Sequence, residues 1–223
     1  MSTDCELDSW MRIDRAGVPF IASALVPAAL LALLRRPRWA LPFGALAAGF
    51  AFFFRDPERQ VPSDPDAVIA PADGRVIVAG AAEPSAPAGL WRQVSIFLSP
   101  LDVHINRAPV DGCTTRVEHH PGRFLPAYEA NAAAVNDRNE IWIDRGGEPV
   151  VCRQIAGVLA RRVVCRLAPG EFVQAGERLG LMKFGSRFDV FLPERTEVLV
   201  TVGDRVRAGE TVIARLGPRP NGA

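Results

Sequence analysis

The chain has 223 residues, 48% of them hydrophobic, and its 26 Lys and Arg against 25 Asp and Glu leave a formal net charge of +1. That length and apolar content suit one catalytic domain with an attachment, or two small domains, with a sizeable core. The near-neutral balance, with arginines spread along the chain, lacks the basic stripe of a nucleic-acid binder, and four cysteines without C-x-x-C spacing beside three histidines argue against a zinc site or other metal. Cys5, Cys113, Cys152 and Cys165 are expected to be reduced thiols in a cytoplasmic setting, a single disulfide being the alternative.

Residues 1–15 are polar, and residues 16–34 carry no charge at all. The basic cluster Arg35, Arg36 and Arg38 follows, then a second uncharged stretch, 40–54, ending in Phe52, Phe53 and Phe54. A helix needs about 20 apolar residues to cross a bilayer; the first stretch nearly reaches that and the second falls short. No small-residue cleavage site precedes a polar mature chain, so a signal peptide does not fit. Pro19 and Pro27 are expected to kink a helix. Residues 1–60 are therefore predicted to be a hydrophobic helical segment that associates with the cell membrane, either as two spans or as a hairpin dipping into one leaflet. With two spans the basic loop would stay cytoplasmic and carry the rest of the chain to the far side. A shallow hairpin, its arginines reaching back to the headgroups, keeps residues 61–223 on the cytoplasmic face and is preferred.

From about residue 66, short β-branched runs alternate with Gly, Pro and Asp, which predicts strands and turns. The runs are VIAPADGRVIVAG, WRQVSIFLSP, EIWIDRG, VVCRQIAGVLARRVVCRL and DVFLPERTEVLVTV; a short helix is expected near 124–134. PGEFVQAGERLGLM and VGDRVRAGETVIAR share one pattern, strand, Gly turn and strand, and ADGRVIVA is a looser copy. These units resemble the hammerheads of the biotinyl/lipoyl-type β-sandwich, so residues 61–223 are expected to form a mainly β domain of that kind. Fold similarity does not by itself assign function.

Chemistry concentrates at Met182-Lys183-Phe184-Gly185-Ser186-Arg187-Phe188-Asp189, a Gly-Ser pair between two strands. Gly permits backbone conformations closed to other residues, and a turn held so can store strain. Attack of the Ser186 hydroxyl on the preceding carbonyl carbon would shift the acyl group from nitrogen to oxygen. Elimination of the ester would leave dehydroalanine, and hydrolysis would release ammonia and leave a pyruvoyl group on the new N-terminus. Serine is required because its oxygen acts first as nucleophile and then as leaving group. Alone, a Gly-Ser pair is usually a plain turn.

The surrounding motifs add weight. Phe184-Gly185-Ser186, Pro71-Ala72-Asp73-Gly74, the segment Leu98-Ser99-Pro100-Leu101-Asp102-Val103-His104, Pro121-Gly122-Arg123-Phe124 and Asn136-Asp137-Arg138-Asn139 resemble, in order and spacing, motifs of the phosphatidylserine decarboxylase family in its short, archaeal-type form. The resemblance covers roughly residues 50–217. It implies self-cleavage between Gly185 and Ser186 into a β chain 1–185 and an α chain 186–223. It implies a covalent pyruvate cofactor made from Ser186, with no metal. The ketone would form a Schiff base with the amine of phosphatidylserine, carbon dioxide would leave, and phosphatidylethanolamine would be released. The expected partners are the phospholipid bilayer, the chain's own α and β pieces as a heterodimer, and a second copy in a higher oligomer.

The same resemblance assigns roles. Ser186 needs a base to act as nucleophile, and His104 would be that base, oriented by Asp73. The bacterial form carries H-x-x-H where this chain has His104-Ile105-Asn106-Arg107, so His104 would serve both self-cleavage and decarboxylation, unless His119 or His120 takes one step. Those two neighbours would point to opposite faces of a strand. Arg107, Asn136 and Arg138 are substrate-binding candidates, with Arg107 suited to a phosphate or carboxylate. The competing expectation is a membrane-anchored carrier or adaptor without catalysis, Met182-Lys183 standing for a biotin-accepting pair with Lys183 as the attachment point.

Overall fold

Both apolar stretches fold as helices. The computed structural model describes residues 12–129, 131–158, 163–183 and 186–217. Two compact units are present, one ending at Glu58 and the other beginning at Arg59.

In the first unit α1 (Val18–Leu33) and α2 (Pro37–Phe53) form a hairpin. Pro19 and Pro37 sit in first turns, where a missing N–H costs nothing, and α1 continues through Pro27 instead of ending there. Arg35 takes a left-handed φ of 55°, and the Arg36 N–H returns to the Leu31 carbonyl at 2.9 Å, closing α1 with a Schellman-type cap. Small residues at the helix contact, Ala24 and Ala47, are buried. A Cβ at Gly17 would stand 2.5 Å from the Phe54 side chain, so that close approach requires glycine. Leu25, Leu30, Leu33, Trp39 and Leu41 remain exposed. By length and composition one helix, Arg15–Leu33, is apolar enough to cross a membrane, with mean hydropathy 2.1.

The second unit is mainly β, as expected. In chain order its first strands are β1 (Ala67–Ile69), β2 (Gly74–Ala81), β3 (Trp91–Leu98), β4 (Ile105–Arg107), β5 (Gly112–His120), β6 (Arg138–Asp144) and β7 (Pro149–Ile155). There follow β8 (Val163–Cys165), β9 (Phe172–Val173), β10 (Arg178–Met182), β11 (Ser186–Pro193), β12 (Glu197–Val198), β13 (Arg205–Val206) and β14 (Val212–Arg215), with a single-turn helix α3 (Ala132–Val135) before β6. Eight strands make one antiparallel sheet in the order β13-β2-β3-β11-β7-β6-β5-β9, and two smaller sheets, β4-β10-β8 and β1-β14-β12, complete the unit.

The two sequence repeats fold alike, as β9–turn–β10 and β13–turn–β14. Each turns at a glycine with positive φ, Gly176 at 82° and Gly209 at 78°, the left-handed region that glycine enters without cost.

Period-2 alternation sorts the large sheet into two faces. Val94, Ile96 and Leu98 of β3, Phe188, Val190 and Leu192 of β11, Cys152 of β7 and Ile141 of β6 lie in one apolar cluster. The opposite face of β11 carries Arg187 and Asp189, both buried and joined at 2.6 Å. Arg187 also reaches Glu83 and Ser95, and Arg153 of β7 grips Glu140 of β6 at 2.8 and 3.0 Å. A central strand covered on both faces is thus apolar on one and ion-paired on the other, which is how buried charge is tolerated.

Candidate active site

Ser186 is the first residue of β11 and pairs directly with Leu98, the last residue of β3. Beyond Leu98 the chain loops through residues 99–103 and comes back at His104, whose carbonyl accepts from the Met182 N–H at 3.2 Å. Two cross-chain contacts therefore bracket the junction: Leu98 opposite Ser186 and His104 opposite Met182. The Leu98–His104 segment and the predicted cleavage segment run between the same two points. Gly185, the other half of the predicted cleavage pair, lies outside the described residues.

Four polar side chains in or beside the strands around this junction are fully buried: Ser186, His104, Asn106 and Gln154, all 0% exposed. Gln154 pairs with Phe188 across β7 and β11, so it shares a face with Ser186. Its Nε2 crosses to the smaller sheet and donates to Asn106 Oδ1 at 2.8 Å. Gly180 leaves room for that crossing, since a Cβ there would meet Gln154 Nε2 at 3.0 Å and the Val164 carbonyl at 2.1 Å. His104 stands two residues before Asn106, with its Nδ1 2.9 Å from the Asp102 carbonyl. Among the described residues, Ser186 Oγ, Gln154 Oε1 and Asn106 Nδ2 are buried without a hydrogen-bond partner. Orphaned polar atoms inside a core are expensive, and each calls for a partner or a role. Three residues along β11, burial pushes the Asp189 carboxyl up from its ordinary value while Arg187 opposes the rise.

The other expected residues take these places. Asp73 lies before β2 with its carboxylate held by Arg59 at 2.8 and 3.0 Å and by the Ala208 N–H at 2.8 Å. Its motif adjoins the histidine segment through the Arg107 N–H on the Pro71 carbonyl, 2.8 Å. Gly74 is required there, because a Cβ would lie 2.2 Å from the Phe97 carbonyl oxygen. Arg107 is buried and donates to the Gly176 carbonyl at 2.9 Å. Asn136 is fully buried, its side chain bonded to Leu125 N–H at 3.0 Å and to the Leu125 and Ala156 carbonyls at 2.8 Å each. Arg138 donates to the Ala134 carbonyl at 3.0 Å, and burial, with Arg153 nearby, pulls its pKa down.

His119 and His120 end β5 and face opposite ways. His120 lies toward Glu118, whereas His119 Nε2 is 3.0 Å from Asp137 Oδ2. His119, Asp137, Asn139 and Lys183, with Val163–Cys165, line a cleft of about 570 Å³. Among the described residues, Glu118, His120 and Glu140 bring possible metal-ligand atoms within 4.8 Å of one another, but both Glu140 oxygens are already engaged, by Arg153 and by Trp142.

Asn106 and Gln154 were not singled out in the sequence. A glutamine inside the apolar run VVCRQIAG and an asparagine in extended chain next to His104 were the available signals.

Fold and cluster define a class: a mainly β enzyme domain with a buried hydroxyl at the head of a central strand, preceded in sequence by two apolar helices. Residues 46–214 match the family described as Phosphatidylserine decarboxylase. The protein named phosphatidylserine decarboxylase proenzyme of Nitrosomonas europaea is 46% identical over 204 residues, covering 91% of this chain and 94% of that one. Its namesake in Symbiobacterium thermophilum is 49% identical over 210 residues, 92% and 95% of the two chains. That of Nocardia farcinica is 44% identical over 207 residues, 90% and 86%. The chain belongs to the phosphatidylserine decarboxylase family and is by that membership a decarboxylase.

Proposed function

We propose that the chain is made as a precursor, cuts itself between Gly185 and Ser186, and then decarboxylates phosphatidylserine to phosphatidylethanolamine at a membrane surface. The observation that carries this reading is the Ser186 hydroxyl: fully buried, without a hydrogen-bond partner among the described residues, and at the head of a strand gripped from both sides. His104, fully buried, takes the hydroxyl proton. The oxygen attacks the Gly185 carbonyl carbon, the C–N bond breaks, and the acyl group passes to oxygen as an ester. Loss of a Cα proton and of the carboxylate leaving group gives dehydroalanine at position 186, and water converts it to the keto acid amide with release of ammonia. Asp73 supports the charge on His104.

The cut leaves the pieces joined. β11 stays paired with β3 and β7, β13 with β2, and β14 with β1, so residues 186–223 remain seated in residues 1–185 as a heterodimer. The pyruvoyl group so formed supplies a ketone for the substrate amine and a sink for the electrons released with carbon dioxide. His104 then returns a proton to the substrate carbon. The exposed apolar faces of α1 and α2 fit the hairpin mode of membrane attachment, with the catalytic unit on the cytoplasmic face. The repeated β9–β10 and β13–β14 units are read as biotinyl/lipoyl-like hammerheads.

Intact-mass measurement tests the reading. Two fragments corresponding to residues 1–185 and 186–223 are expected, the smaller blocked at its N-terminus and reactive with hydrazine. Vesicles containing phosphatidylserine should yield phosphatidylethanolamine and carbon dioxide. A whole chain recovered from an active preparation would overturn it.

A further inference from the structure

The cleft lined by His119, Asp137, Asn139 and Lys183 carries a second inference, which rests on the function proposed above. It opens beside the reacting segment. Lys183 stands three residues before Ser186, and Val163 on the cleft wall pairs with Met182. Two of its residues belong to a row that leads toward the junction: His119, Asn139, Gln154 and Phe188 are cross-strand neighbours through β5, β6, β7 and β11, on the face that also carries Ser186. The cleft itself ends at Asn139, with fully buried Gln154 next in the row behind it.

The cleft's chemistry is mixed in sign. Lys183 brings a cation. His119, with 57% of its side chain exposed, is fixed from one side by Asp137, 15% exposed, at 3.0 Å. Asn139 adds an amide, and Val163, Val164 and Cys165 form an apolar rim. A volume of about 570 Å³ accommodates a small, net anionic phosphoserine headgroup but not acyl chains.

We propose that this cleft receives the phosphodiester of the substrate headgroup, with Lys183 as counter-charge and His119 as the residue that selects it: with Nε2–H given to Asp137, the doubly protonated ring donates Nδ1–H to the phosphate. The alkyl rim lies against the glycerol end, and the amine and carboxylate are directed inward past Asn139 toward position 186. His119 is thereby a specificity residue for decarboxylation with no part in self-cleavage.

The test uses the full chain with vesicles of phosphatidylcholine and phosphatidylserine. His119→Leu and Asp137→Asn are expected to process into the same two fragments as the parent. Loss of one hydrogen bond to a charged group corresponds to a KM higher by about tenfold, with kcat little changed. Inorganic phosphate should compete with lipid in the parent and lose that effect in His119→Leu. Normal processing with an unchanged KM would overturn the proposal, as would phosphate binding that does not compete with lipid. If His119→Leu fails to process, amine labelling of Lys183 in the processed parent decides: protection by short-chain phosphatidylethanolamine supports the cleft, and equal labelling with and without it overturns it. An unprocessed parent would instead sink the function proposed above, and this inference with it.

Discussion

Gln154 donates to Asn106 across the gap between the large sheet and the small one, a 2.8 Å bond between two fully buried amides. Each partner keeps one orphaned atom, Gln154 Oε1 and Asn106 Nδ2. Gln154→Leu should strand the Asn106 amide and cost about 1–3 kcal/mol of stability. Adding Asn106→Leu should recover most of that loss, because replacing both partners is far cheaper than replacing one. If the pair serves the site, processing stays slow in the double variant although stability returns. Denaturant midpoints and a time course of chain cleavage separate the two readouts, and full-speed cleavage in the stable double variant would make the pair purely structural.

Ser186→Ala removes a buried hydroxyl that has no hydrogen-bond partner among the described residues. The chain should be uncleaved and inactive, yet at least as stable as the precursor, since no hydrogen bond is lost and a polar group leaves the core. His104→Ala should also remain whole. Its stability should fall by about 2–5 kcal/mol, because a buried ring is deleted and a cavity is left. Normal processing in His104→Ala, read on a denaturing gel, would remove His104 as the base.

Asp73 offers a sharper distinction. Its carboxylate is held by Arg59 and the Ala208 N–H, which is enough to explain its presence structurally. Arg59→Met leaves the carboxylate in place, whereas Asp73→Asn removes its charge. If the charge supports His104, cleavage slows by about 100-fold or more in Asp73→Asn and far less in Arg59→Met at matched stability. Equal rates in the two variants would confine Asp73 to its structural contacts.

The strands were legible because alternation and Gly-bounded runs are local signals. β3, β6, β7 and β11 fall where the sequence suggests, and both repeats fold as strand, turn and strand. That Leu98 faces Ser186 was legible only through the family motifs, since it depends on β11 pairing with β3 at a separation of some 90 residues. Lengths of apolar sequence carry no register. Gln154 illustrates what was hidden. In VVCRQIAG it looks like a polar interruption of a strand, and only the pairing with Phe188 places it on the face of Ser186. Arg187 and Asp189 were hidden for the opposite reason: charges beside a Gly-Ser turn suggest a solvated surface, whereas a second buried face covers them.

Cys152 supplies a test of the core itself. It is fully buried on β7, and burial pushes its thiol far above the ordinary value of 9.0. Half-buried Cys165 moves in the same direction, also through burial. The folded thiol therefore keeps its proton where the unfolded one has released it, so unfolding is coupled to proton loss. The contribution is complete below the unfolded value and disappears as pH rises above it, by up to about 1.4 kcal/mol per pH unit for each thiol. Cys152→Val keeps the apolar volume and removes one titrating group. Urea midpoints measured between about pH 8 and pH 11 should fall less steeply for this variant than for the parent, with the two curves closest at the acid end. Identical slopes would mean that the Cys152 thiol ionises as freely in the folded protein as in the unfolded chain, contrary to its place between β11 and β6.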